Sequence, residues 1–290
     1  MDDRYHDQLY ARTVLQHSTT YPLAFRPMIS ITSSQLDAWF ALFIWPFLRI
    51  LGLMLSEPLL GHRALPRRIK MGLAMLLTIT IAPLLEVPPS VSFTSAQGIV
   101  IAIQQLFIGF ALGFSIRLVL SSIEMSGHVT GLTMGLGFAV FFDPQNSAQS
   151  PVLAQFIGIF AMLVFLAMNG HLMVISALVQ SFQIVPVSTD SLHLAGFKAF
   201  AEAGGQIFLV GLMLSLPMLA ALLIANIAMG ILSRAAPQLN LFAVGFPLTL
   251  GAGFVVLLMA LPYLLPPITR LLEEGVLHGL KLIGLFRAAG

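Results

Sequence analysis

The sequence contains no cysteine, which excludes a disulfide framework, thiolate metal ligation, iron–sulfur clusters and a cysteine nucleophile. Charge is almost as scarce. Only 9% of the 290 residues are Asp, Glu, Lys or Arg, against roughly a quarter in an ordinary soluble domain. The shortage is uneven: after Arg117 no Lys or Arg occurs before Lys198, and Arg234 is the only charge between Glu202 and Arg270. Stretches that long without charge need a non-aqueous neighbour. The net charge of +2 comes without a basic run interleaved with aromatics, so no nucleic-acid partner is expected.

Catalytic patterns are missing as well. The histidines never fall in an HExxH or other metal-ligand spacing, and neither a GxSxG elbow nor a Walker A sequence occurs. A GxGxxG fingerprint is incomplete, because Val140 stands where the third glycine after Gly135 and Gly137 belongs. The chain is expected to be no enzyme and to need no metal or other cofactor.

What is present is apolar: 58% of the residues, with a mean hydropathy of +0.94. The apolar segments run approximately over 36–56, 69–85, 97–123, 126–142, 151–181, 204–233 and 242–268, six or seven in all according to how 97–142 is divided. A spanning helix needs about 20 apolar residues. Runs such as Met71 to Leu85 and Val255 to Leu265 do not alternate as barrel strands do, so the fold class is all-α, a polytopic helical membrane protein. Residues 1–34 read as a polar extension without a signal-peptide pattern, 35–268 as the hydrophobic helical domain and 269–290 as an amphipathic tail. The connector Glu57 to Lys70, with Arg63, Arg67, Arg68 and Lys70, is expected on the cytoplasmic side.

Proline and glycine recur inside these segments, and interrupted helices at membrane depth need neighbouring protein to satisfy the freed backbone. Gly127, Gly131 and Gly135 repeat every four residues, as do Gly109 and Gly113. That spacing stacks small residues on one helix face for close contact, within the chain or with another subunit. Arg117 and Glu124 lie seven residues apart in apolar surroundings and are candidates for a buried ion pair with a functional or a structural role. Arg49 and Arg234 invite the same question. In Gly135 to Ser147, Phe138, Phe141 and Phe142 follow the glycines and lead into Asp143-Pro144. Rings there either pack against neighbours or lipid, or form an apolar plug across a conduit.

The run ANIAMGILSRAAPQLNLFAVGFPLTLGAG, Ala225 to Gly253, resembles the FliR family of flagellar type III export-gate subunits. Three further stretches fit the same family: Leu36 to Met75, Ser121 to Pro144 and Asn169 to Phe182. The likeness covers about residues 35 to 270 in order. It implies a core subunit of the export gate in the bacterial inner membrane at the flagellar basal body, made of bent helical hairpins, with a FliP-like part joined to a FliQ-like part. The implied partners are FliP, FliQ, FlhB and FlhA, membrane lipid, and unfolded flagellar proteins as cargo.

The resemblance also places a plug on Gly135 to Asp143, with Phe138 and Phe141 occluding, Phe142 adjacent and the flexible Met134 beside them. Gly127, Gly131, Asp143, Pro144, Arg234, Pro237, Gln238 and Asn240 become subunit-contact or fold-defining positions. An injectisome subunit of the same family and a small-solute secondary transporter using Arg117 and Glu124 are the alternative functions.

Overall fold

The computed structural model describes residues 33–85, 89, 91–138, 152–236 and 245–287. By contact density the chain divides into Met1–Leu36 and Asp37–Gly290, and the packing that follows is that of the second unit. Eight α-helices carry the described residues: α1 (Ser33–Ser56), α2 (Arg67–Ile81), α3 (Ala96–Thr133), α4 (Val152–Ala167), α5 (Gly170–Ile184), α6 (Leu194–Ala203), α7 (Gln206–Ala235) and α8 (Phe246–Gly284). Single 3-10 turns follow α2 at Ala82–Leu84 and α3 at Leu136–Phe138.

Among the described residues, four stretches of helix are long and apolar enough to cross a membrane: Ala38–Ser56, Ala96–Thr133, Leu194–Ala235 and Pro247–Gly284. The bent pair α4–α5 makes a fifth if counted as one. The hydropathy reading of six or seven segments is reduced for physical reasons. The runs 97–123 and 126–142 share one helix as far as Thr133, and α2 has only 15 residues, about 22 Å of rise against a hydrocarbon core of about 30 Å. The run 151–181 breaks at Asn169, whose φ of 58° is left-handed, and the helices on either side diverge by 70°. Asparagine tolerates that conformation better than most residues. At the next position a Cβ on Gly170 would strike the ring of Phe165.

The central element is α3, started by Ser95, whose hydroxyl accepts from the Gly98 amide at 3.0 Å. Glycines set how its neighbours meet it. Gly52 faces the Leu106 carbonyl, Gly109 the Arg49 carbonyl, and Gly113 the Ser56 hydroxyl and Glu57 amide. Arg49 reaches Gln105, Ser56 the Phe110 carbonyl and Glu57 Gly113, pairs that rise together in number, so α1 runs parallel to α3. Gly127 lies on Leu153 and Ala154, and Gly158 on Glu124, so α4 is antiparallel. α7 is parallel, with Gly211 on Ser122 and Met125 and, farther along both helices, Asn226 on Thr133. α8 is antiparallel and follows the C-terminal half of α3, with Gly253 on Met134, Gly275 on Val119 and Gly279 on Ser115. The tail expected to start at 269 is continuous with α8, which holds its helix through Pro262, Pro266 and Pro267.

The apolar core runs along these seams, from Ile50 and Leu53 on α1 through Ile108, Leu112, Ile116 and Ile123 on α3 to Ile268, Leu272 and Ile283 on α8. At one end Phe107 of α3 packs edge-on to Phe286, and both meet Phe197 of α6. Much of α7 and of the N-terminal half of α8 stays uncovered: Phe208, Leu216, Ile224 and Ile231, and Phe254, Leu258 and Met259, are all exposed.

Candidate functional site

Where α3 ends, its last residues are gripped from three sides. Met134 caps the helix, its amide donating to the Thr130 carbonyl at 3.0 Å, and its side chain is fully buried. Gly135 follows with φ 85°, the left-handed conformation that ends helices and that glycine adopts without strain. The chain then turns back, so that Leu136 lies 3.5 Å from where a Cβ on Gly131 would stand. Asn226 on α7 donates from Nδ2 to the Thr133 carbonyl at 3.4 Å. On α8, Gly253 leaves the space that Met134 fills. The start of the segment expected to plug, Gly135 to Phe138, is therefore described as a glycine turn and a 3-10 turn rooted on α3, α7 and α8. Phe141, Phe142, Asp143 and Pro144 lie outside the described residues.

The four-residue glycine repeat resolves into contacts inside the chain. Gly127 meets the α4 backbone and Gly131 meets Leu153 and Leu136, while Gly135 serves the turn. Arg234 is exposed in the last turn of α7, where a cation complements the helix dipole. Pro237, Gln238 and Asn240 lie outside the described residues.

Arg117 and Glu124 do not form a buried pair. Both are exposed, and among the described residues ion pairs are found only at Lys198–Glu202 and Arg270–Glu274. They share the wall of a cleft of about 370 Å³ between the turn after α1, α3 and α4, together with His62, Ser121, Gln155 and Gly158. Seven residues place them on one face of α3, but the Glu124 carboxyl is drawn sideways into the notch at Gly158.

The ionisable group that is buried is Arg49. Its Nε donates to Gln105 Oε1 at 2.8 Å, one terminal nitrogen to Ser181 Oγ at 3.2 Å and the other to the Val185 carbonyl at 2.8 Å. A charge without a carboxylate partner is held here by neutral acceptors and by the face of an aromatic ring, that of Phe182. Sequence alone left the role of Arg49 open between functional and structural, since Gln105 and Ser181 are distant in the chain and unremarkable by type.

Just beyond α1, Glu57 is buried too. Burial pushes its carboxyl above the ordinary value, and the amides of Leu60, Leu59 and Gly61 offset part of that push. Oε2 accepts from the Leu60 amide, whereas Oε1 has no partner. Among the described residues no group of three His, Asp or Glu side chains is placed to hold a metal ion.

These features describe an all-α polytopic membrane protein whose longest helices converge on a glycine-hinged turn. The family model of bacterial export proteins, family 1, matches residues 40–275, and the chain belongs to that family. Among curated relatives, the flagellar biosynthetic protein FliR of Escherichia coli (strain K12) is 42% identical over 247 residues, 85% of this chain and 94% of the relative. Its namesake in Pectobacterium carotovorum subsp. carotovorum is 43% identical over 249 residues, 86% and 95% of the two chains. The FliR of Bacillus subtilis (strain 168) is 29% identical over 225 residues, 77% and 86% of the two chains.

Proposed function

We propose that this chain is a core subunit of the flagellar type III protein export gate, forming and plugging the conduit by which unfolded flagellar proteins cross the bacterial inner membrane. The observation that carries the reading is the 42% identity to a flagellar biosynthetic protein over 94% of that relative's length. The exposed apolar faces of α7 and α8 support a place among other subunits and lipid, with FliP, FliQ, FlhB and FlhA as the protein partners. The chain then acts by shape and not by catalysis.

The physical demand on such a conduit is double, since a polypeptide must pass and ions must not. Apolar rings that exclude water yet yield to a passing chain meet both demands, which is the role given to Phe138 and Phe141, with Gly135 and Gly137 as hinge positions. Arg117 and Glu124, at the open side of a cleft and unpaired with each other, give the solute-transporter reading no support. Relatives named for the flagellum favour flagellar over injectisome cargo.

Two measurements test the proposal. Purification of the chain from its native membranes in mild detergent should bring FliP and FliQ with it; recovery of the chain alone would overturn the assignment. Replacing Phe138 and Phe141 together by Ala should make membranes that hold the assembled gate leaky to small ions, and unchanged conductance would remove those rings from the plug.

A further inference from the structure

We infer that Met134 and Gly253 form a latch through which α8 holds the turn after α3, Gly135 to Phe138, in place while the gate is closed, so that export requires the two to part. The inference rests on the plug reading above and makes Met134 a positioning residue for that segment.

Met134 is fully buried although it caps a helix and is followed by a turn. Leu132, two residues earlier, is 56% exposed. The burial comes from α8: a Cβ on Gly253 would stand 2.5 Å from Met134 Cγ, 2.6 Å from Cε and 2.9 Å from Sδ. The whole length of the methionine thus occupies the space that any other residue at 253 would need. Gly251, two residues away, has nothing within 4 Å of its Cβ position, so the notch belongs to one glycine and not to a generally small helix face. The other grip on this end, Asn226 to the Thr133 carbonyl, is long at 3.4 Å and close to the limit of a hydrogen bond. The methionine in its notch is the firmer of the two holds.

Its position gives it leverage. Gly135 comes next, and its left-handed φ of 85° sets the direction in which the following turn leaves α3. A displaced Met134 re-aims that turn. Methionine suits a hold that must release, because its three rotatable bonds let the side chain withdraw from the notch and free the turn to move. α8 has a matching asymmetry. Its far end is seated by Gly275 on Val119 and Gly279 on Ser115, and Pro262, Pro266 and Pro267 remove backbone hydrogen bonds between that end and Gly253. The Gly253 end is the part of α8 that can swing.

The cysteine-free sequence makes a direct test available. In the full chain, assembled in its native membranes, Met134→Cys with Gly253→Cys supplies the only two thiols of this subunit. Diamide removes two electrons and two protons from them to form the disulfide, and a reductant restores the thiols. The latch predicts efficient cross-linking, export of flagellar cargo reduced at least tenfold in the cross-linked form, and recovery on reduction. Failure to cross-link, or export that continues unchanged in a fully cross-linked chain, would overturn it. As a second measurement, Gly253→Ala should raise ion leak several-fold at unchanged protein level, whereas Gly251→Ala should not. If Phe138→Ala with Phe141→Ala leaks while Gly253→Ala stays tight and the disulfide does not block export, the latch fails and the plug stands. If the phenylalanine variant stays tight, the plug fails, and the disulfide still reports on whether α3 and α8 must separate.

Discussion

The guanidinium carbon of Arg49 lies 4.0 Å from the centroid of the Phe182 ring, joining α1 to α5 across 133 positions of sequence. With Gln105 from α3 and the Val185 carbonyl after α5, three parts of the chain converge on one side chain. Replacing it by Lys keeps the charge but loses the planar fork that reaches separate acceptors. Arg49→Lys should destabilise the folded chain by about 2–3 kcal/mol, the cost of charge-assisted hydrogen bonds left unmade in a buried site. A lower melting temperature of the detergent-solubilised complex would show it, and an unchanged one would mean that the network adds nothing.

The Glu57 carboxyl makes stability depend on pH. Burial raises its pKa above 4.5, so the folded chain holds this proton more tightly than the unfolded chain does. The stability that the proton confers is complete below about 4.5 and is lost as the pH rises through the elevated folded value. Glu57→Gln keeps an oxygen for the Leu60 amide and stays neutral. The variant should match or exceed the parent's melting temperature at pH 7.5, with the difference shrinking toward pH 5; a gap independent of pH would show that Glu57 does not titrate in this window.

Glycines with identical chemistry should differ sharply in tolerance. A Cβ on Gly109 would overlap the Arg49 carbonyl, a backbone atom that cannot rotate away, whereas Gly72 on α2 has nothing within 4 Å. Gly109→Ala should force α1 from α3 and cost about 3 kcal/mol or more, the upper range for overpacking. Gly72→Ala should be neutral or stabilising by up to about 1 kcal/mol through helix propensity. Expression level and thermal stability of the two variants, measured side by side, would expose any error in this ordering.

Gly135 offers a third kind of glycine, needed for its backbone angle and not for space. Any L side chain at φ 85° carries roughly 1–2 kcal/mol of strain. Gly135→Ala should therefore bring a modest loss of stability together with altered gating, while Gly137→Ala, where the nearest neighbour of a Cβ is the rotatable Leu132 side chain at 3.3 Å, should be milder. Equal ion leak and equal stability for the two would contradict the turn geometry.

Fold class was legible because apolar runs without alternation leave few choices in lipid. The positions of α1, α7 and α3 follow from those runs. The joining of 97–123 to 126–133 was not legible, since Glu124 interrupts the apolar pattern but not the helix. The bend at Asn169 was hidden by a run apolar on both sides of it. At the site, the spacing of Gly127 and Gly131 announced close contact without naming the partner, because a small residue leaves the same signature against α4 as against another subunit. Arg49 drew notice as a charge among apolar residues, but its acceptors were beyond reach, because Gln105, Ser181 and the Val185 carbonyl are ordinary groups made special only by the tertiary fold. Gly253 carried no signal that distinguished it from Gly251.

The Arg49 network also has a timetable. The last of its acceptors, the Val185 carbonyl, enters the chain 136 positions after the arginine itself. At typical synthesis rates of about 5–20 residues per second that interval is on the order of ten seconds. For most of it only Gln105, made 56 positions after the arginine, is available to receive the cation, because Ser181 and Val185 come at the very end. The first helix therefore gains its full set of acceptors only when the fifth helix has been made.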